Sequence, residues 1–186
     1  MSAMDFEETP IEGVLLIKPK IFSDARGFFT ETFSLRTFQT LPGCSEVSFV
    51  QDNHSQSRRG VLRGLHYQRE RQQGKLVRVL RGAIWDVCVD LRPKSKSFGK
   101  WFGVNLDAES HQQIWIPAGF AHGFVALSEV ADVAYKATDY YAPEFEECIR
   151  WDDDDLAINW PDLDMQFNVS EKDRAGSLLK EARLPE

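Results

Sequence analysis

His66 and His122 are the residues of this chain best placed to do chemistry. His122 ends the segment Pro117-Ala118-Gly119-Phe120-Ala121-His122, a turn that delivers a histidine into a strand. Jelly-roll metalloproteins pair such a histidine with a His-x-His on an earlier strand. Here the earlier strand reads Gly64-Leu65-His66-Tyr67-Gln68, with glutamine where the second histidine would stand. A transition-metal site needs about three or four protein donors. The expectation is therefore a pocket without a metal, in which a histidine is free for proton transfer near neutral pH.

Arg63 precedes His66 by three residues, with Gly64 between them. Strict strand alternation would send the two to opposite faces. Both reach one pocket only if Gly64 permits a bulge or twist. A lone histidine is by default a satisfied core or surface residue, but the neighbouring arginine and Tyr67 argue for a site. Tyr135 lies in the alternating run Val133, Tyr135, Ala137, where a tyrosine is ordinarily a core residue with a hydrogen-bonded hydroxyl. Tyr140 and Tyr141 precede an Ala-Pro turn. They read as caps on the barrel, with stacking on a base as the alternative. Ser170-Glu171-Lys172-Asp173 reads as a capping box, which by itself gives Asp173 no function.

The elements that must position these residues are short apolar runs broken by Gly, Pro, Asn and Asp. Gly13 to Ile21 reads as a strand, with Pro19 marking an edge or an interruption. Phe28 to Phe33 follows. Lys75 to Leu80 and Ile84 to Leu91 flank Arg81-Gly82-Ala83, a hairpin signature. In the second arm Trp85, Val87, Val89 and Leu91 share one face, and Ile84, Asp86, Cys88 and Asp90 the other. Trp101 to Leu106, Gln113 to Ile116, Gly123 to Leu127 and Val130 to Thr138 continue the series. Helical spacing appears near Arg36 to Leu41 and at Glu171 to Leu184. So many short strands predict an all-β antiparallel sandwich or barrel with short flanking helices.

Composition narrows the function. A chain of 186 residues with 42% hydrophobic content supports one buried core and one domain. The net charge of −7 argues against nucleic acid and acidic membranes as partners. Yet between Arg58 and Arg81 there are eight basic residues and one acid, Glu70. Most of these read as a solvated face. The sharper reading is a local pocket for a phosphate-bearing small molecule. Three cysteines, Cys44, Cys88 and Cys148, are odd in number and far apart, so neither a disulfide framework nor a Cys-x-x-Cys metal knuckle is expected. The first ten residues show no basic start with an apolar run, and no apolar stretch approaches membrane-spanning length. The expected compartment is the reducing cytoplasm. Asp152 to Asp155 is expected to decorate an exposed turn, since it lacks the alternation and glycine of a calcium loop.

Taken together, these segments closely resemble the dTDP-4-dehydrorhamnose 3,5-epimerase family. The matching stretches are DARGFFTETF, FVQDNHSQSRRGVLRGLHYQ, QGKLVRVLRGAIWDVCVDLR, FGKWFGVNL, IPAGFAHGFVALSE, YKATDYYAPEFEECIRWDD and SEKD. They run in order from about Ile17 to Asp173. GVLRGLHYQ together with PAGFAHGF is the specific signal. The resemblance implies a cupin-type jelly-roll barrel, a homodimer, no cofactor, and a dTDP-sugar substrate with a ketone at carbon 4. It implies that His66 is the base, with Asp173 orienting its imidazole. It further implies that Tyr135 is the acid on the other face and that Lys75 stabilises the enolate. Arg26, Glu31, Gln51, Asn53, Arg63, His122, Glu146 and Lys172 match positions that hold the nucleotide sugar, and Tyr141 the one that stacks on thymine. Ala134 departs from the bulkier apolar residue usual beside the acid, and alternation turns it away from the face of Tyr135.

These roles have a physical basis. Inversion beside a ketone needs no redox cofactor, because the carbonyl is the electron sink. It needs a base on one face and an acid on the other. An oriented carboxylate fixes the tautomer of the base and favours the imidazolium. A metal-dependent oxygenase and a non-catalytic nucleotide-sugar binder are the rival classes. The missing second histidine speaks against the first. The set His66, Tyr135, Asp173 and Lys75, surplus to binding alone, speaks against the second.

Overall fold

The computed structural model describes residues 4–185. Its strands are β1 (Asp5–Glu8), β2 (Leu15–Lys18), β3 (Ile21–Asp24), β4 (Gly27–Thr30), β5 (Gln51–Arg58), β6 (Val61–Gln68), β7 (Lys75–Arg81), β8 (Ala83–Asp90), β9 (Trp101–Asp107), β10 (Gln113–Ile116), β11 (Phe120–Ala126), β12 (Val130–Ala137), β13 (Glu146–Cys148) and β14 (Asn168–Val169). The helices α1 (Leu35–Phe38) and α2 (Glu171–Arg174) are single turns. One sheet has the order β1-β2-β10-β7-β12-β5, and the other β13-β6-β11-β8-β9, with β14 alongside β6. Among the described residues, the hairpin β3-β4 pairs only with itself. The two larger sheets pack face to face as a jelly roll. Among the described residues, no helix is long and apolar enough to cross a membrane.

Alternation explains what fills the barrel. Val77 and Val79 of β7, Val133 of β12, Ile114 and Ile116 of β10, and Phe120 and Phe124 of β11 point inward. Phe120 and Phe124 belong to the same sheet as Ile84 and Cys88 of β8, and these four meet the others from the opposite sheet. Burying each such large apolar side chain is worth about 1.5–3 kcal/mol. The other face of β8, with Trp85, Val87, Val89 and Leu91, is covered by Ile149, Leu156, Trp160, Leu179 and Leu184. Both faces of β8 are thus buried, as its near-continuous apolar sequence requires.

Several expectations need correction. Arg81-Gly82-Ala83 does not close a hairpin. β7 pairs with β10 and β12, whereas β8 pairs with β9 and β11, so the chain crosses there from one sheet to the other. Gly82 has φ +76°, and a Cβ on it would meet Ser128 Oγ at 2.1 Å and the Val130 carbonyl at 2.2 Å. A tight turn between two apolar-alternating runs serves a crossing as well as a hairpin, because Val79 and Ile84 still face one core. Nor does a helix run from Glu171 to Leu184. α2 stops at Arg174, and Ser177 forms a parallel bridge with Ile149. Its N–H donates to the Cys148 carbonyl and its own carbonyl accepts from Arg150. The leucines beyond it reach the outer core through a 3-10 turn at Leu179–Glu181. The helix near Arg36 is Leu35–Phe38, followed by turns to Leu41, and both Phe38 and Leu41 are buried. The chain breaks between β2 and β3 at Pro19. The strand expected from Gly123 starts at Phe120 and so contains His122. In the acidic run, Asp153 is buried rather than exposed, accepting from the N–H groups of Asp155 and Leu179.

Candidate active site

Between the sheets lies a cavity of about 200 Å³, bordered by Arg63, His66, Gln68, Lys75, His122, Tyr135, Tyr141 and Glu146, among others. Its walls follow from register. On β12 the inward residues are Ala131, Val133, Tyr135 and Ala137, each directly opposite Ser57, Ser55, Asn53 and Gln51 of β5. Lys75 leads the inward row of β7 that continues in Val77 and Val79. The facing wall comes from β6 and β11.

Gly64 produces the bulge that the Arg63/His66 spacing requires. His122 pairs with His66, but Phe124 pairs with Arg63, so β6 carries one extra residue against β11. Gly64 has φ +117°, and a Cβ there would lie 2.7 Å from Gly123 Cα and from the His122 carbonyl. Only glycine fits this close approach. The extra residue brings Arg63 and His66 to the same cavity while Leu62, Leu65 and Tyr67 stay in the outer clusters.

His66 is half-buried. Its Nε2 lies 2.8 Å from Asp173 Oδ1, and the Gly64 N–H donates to Asp173 Oδ2 at 3.1 Å. Ser170 caps the helix as its sequence suggests, its Oγ accepting from the Asp173 N–H. The one-turn helix therefore fixes the Asp173 backbone while the Asp173 side chain fixes the imidazole. Burial works to raise the Asp173 carboxyl, but His66 and the Gly64 N–H outweigh it and hold the group below the ordinary range. The carboxylate stays ionised and can support an imidazolium. With Nε2 so engaged, Nδ1 is the ring nitrogen left for proton transfer.

Lys75 is almost fully buried, and its ammonium donates to the His66 carbonyl at 3.5 Å. Burial pushes it down to about 8, against the opposing pull of Asp86 and Glu146. The Tyr135 hydroxyl is pushed up by burial and by Glu146, against Arg63, so it keeps its proton at neutral pH. Arg63 is anchored through Nε to Ser57 Oγ and through Nη2 to the Gln56 carbonyl. The Tyr141 hydroxyl donates to Glu146 Oε2 at 2.6 Å, and the Lys172 ammonium donates to the same oxygen. Gln51 donates to Asn53 Oδ1 and accepts from the Tyr141 N–H. Gln68 spends its amide on the backbone of Arg71, Tyr140 and Ala142, so it pins the loop that carries the tyrosines.

Asp86 escaped the sequence reading as a site residue. It is fully buried, and its Oδ2 lies 2.8 Å from His122 Nε2. Alternation had already put this carboxylate on the inward face of β8 between Ile84 and Cys88, and an inward acid among apolar neighbours is the signal. Arg26 and Glu31 do not join the cavity within the single chain. Arg26 is exposed on the turn between β3 and β4, paired with Asp24. Glu31 borders a larger hollow of about 640 Å³ beside Phe22 and Phe29. That hollow holds neither histidine.

Known proteins resemble this chain in sequence and in fold. The sequence profile of the dTDP-4-dehydrorhamnose 3,5-epimerase family matches residues 8–181. A dTDP-4-dehydrorhamnose 3,5-epimerase of Pseudomonas aeruginosa is 55% identical over 172 residues, covering 92% of this chain and 94% of that protein. Among solved structures, a dTDP-6-deoxy-D-glucose-3,5-epimerase of Legionella pneumophila in complex with dTDP-4-keto-L-rhamnose is 50% identical. It superposes with a TM-score of 0.94 over 98% of both chains. A 3'-monoepimerase of Streptomyces bikiniensis, in complex with dTDP-quinovose, is 35% identical with a TM-score of 0.88, over 95% of this chain and 91% of that one. With its profile matched nearly end to end, this chain belongs to the dTDP-4-dehydrorhamnose 3,5-epimerase family of isomerases.

Proposed function

We propose that the protein inverts carbons 3 and 5 of dTDP-4-dehydro-6-deoxy-D-glucose, giving dTDP-4-dehydro-L-rhamnose, through a metal-free enolate. The observation that carries this reading is that the base and the acid stand on opposite walls. His66 belongs to one sheet and Tyr135 to the other, and both border the cavity. His66 takes the hydrogen next to the ketone, and the electron pair moves onto the carbonyl oxygen. Lys75 donates to that oxygen, and Tyr135 returns a proton from the far side. Two opposed walls give inversion, whereas a single wall would return the hydrogen to the face it left.

Binding follows from the flanking groups. Arg63, pre-anchored by Ser57, suits the diphosphate, since a guanidinium fork matches phosphate oxygens. Tyr141, held by Glu146, which Lys172 bonds in turn, suits thymine. Gln51, Asn53 and His122 complete the sugar site. Arg26 and Glu31 enter this reading through a second copy. The hairpin that carries Arg26 exposes Phe22, Phe28 and Phe29, an apolar surface suited to a homodimer. The reading takes the chain as one cytoplasmic domain. It needs no membrane or nucleic-acid partner and no cofactor.

Run in deuterated water and followed by proton NMR, the reaction is expected to place deuterium at both carbons. Deuterium at one carbon only would replace the double inversion with the single-centre reading, for which the S. bikiniensis relative on the same fold is the precedent. The ketone-side donor adds a pH signature. Lys75 donates only as the ammonium, so kcat/KM should fall as pH rises through about 8. Lys75→Met should lower kcat by roughly 10²–10³ and remove that alkaline limb. A limb unchanged in the variant would assign it to another group.

A further inference from the structure

Beside the His66–Asp173 pair lies a side chain that the epimerisation does not use. Cys148 on β13 stands directly opposite His66 on β6 in the antiparallel register, so the two side chains share a face. The donor atoms of His66, Cys148 and Asp173 all lie within 4.8 Å of one another. Cys148 is a free, half-buried thiol, and Asp173 is buried. We propose that these three residues form an inhibitory binding site for a soft divalent cation of the zinc type.

The donor set selects the ion. Thiolate and imidazole favour zinc, cadmium or cobalt, whereas magnesium and calcium want oxygen cages. Zinc bond lengths of about 2.0–2.3 Å put neighbouring tetrahedral donors roughly 3.3–3.7 Å apart. The 2.8 Å contact between His66 Nε2 and Asp173 Oδ1 then has to widen by about half an ångström, and Cys148 closes the third corner. The fourth position is left to water. The thiol proton leaves to solvent, and no electron changes hands.

Inhibition follows from the proton count, and this step rests on His66 being the base. A cation on Nε2 leaves the neutral ring with its hydrogen on Nδ1. The imidazole then has no lone pair for the substrate hydrogen, and Asp173 can no longer support an imidazolium.

Cobalt(II) titrated into the full chain reads the site without any turnover. A thiolate-to-cobalt charge-transfer band saturating at one equivalent is expected, with zinc displacing the cobalt. In the same samples, zinc should abolish epimerisation and a chelator should restore it. Cys148→Ser and Cys148→Ala are expected to turn over like the parent, to lack the band, and to need roughly tenfold or more zinc for equal inhibition. The other two cysteines, Cys44 and Cys88, are fully buried, so loss of the band in either variant assigns it to Cys148. Absence of the band in the parent, or band and inhibition that survive in both variants, would overturn the proposal. A band in a protein with no zinc-free turnover would keep the cation site and reject the epimerase reading. Turnover without a band would do the reverse.

Discussion

His66→Ala is expected to lower turnover by about 10²–10⁴, the usual contribution of a positioned general base, while the affinity for dTDP-sugar changes little. The separation follows from where binding resides. Arg63 is held by Ser57 and the Gln56 carbonyl, and Tyr141 by Glu146. None of these anchors depends on the imidazole. Truncation also leaves Asp173 one partner, since its Oδ2 still accepts from the Gly64 N–H. The bulge that positions Arg63 therefore keeps its support. The check is a pair of measurements, calorimetric affinity for the nucleotide sugar and deuterium wash-in from solvent. Wash-in should stop with turnover. A variant that turns over like the parent would refute the base assignment, and a variant that loses affinity as far as turnover would make His66 a binding residue.

Tyr135→Phe should separate exchange from inversion. The substitution removes one hydroxyl and leaves a ring that packs against the inner core. Its expected cost to inversion is roughly 10²–10³, within the range for general acids. Hydrogen abstraction by His66 does not need the hydroxyl. The enolate forms, waits, and takes a deuteron back from the histidine on the face it left. Proton NMR in deuterated water should therefore show deuterium entering the substrate without change of configuration. Inversion at the parental rate would remove Tyr135 from the acid role. Exchange falling as far as inversion would mean that the hydroxyl acts before the enolate forms. The direction of its pKa fits donation, because burial holds the phenol in its neutral form.

The two experiments probe opposite sheets, and that is where sequence and structure part company. Wherever a residue's inward neighbours are apolar, the element was legible. β7, β8, β10 and β12 each carry an apolar inward row, and the faces assigned to Ile84 and Trp85 on β8 are the faces observed. β5 escaped because its inward residues are the polar Gln51, Asn53, Ser55 and Ser57, of which Ser55 borders the cavity. A strand that lines a polar cavity inverts the hydrophobic pattern by which strands are found. The resemblance marked Gln51 and Asn53 without revealing the strand beneath them. The long C-terminal helix was misread for a related reason. Local spacing admitted it, but pairing of Ser177 with Cys148 and Arg150 satisfies the backbone better once Ile149 is in place.

By itself the sequence determined the all-β class, the helix cap at Ser170, the demand for a bulge at Gly64 and the family. Each rests on local chemistry or on motifs contiguous in the chain. Tertiary structure alone decided that the turn at Gly82 crosses between sheets and that Asp86 meets His122. It also placed Cys148 beside the His66–Asp173 pair, with the donor atoms of all three within 4.8 Å of one another. These are contacts between strands distant in sequence, fixed when two sheets close on one core, and no short window of residues encodes them.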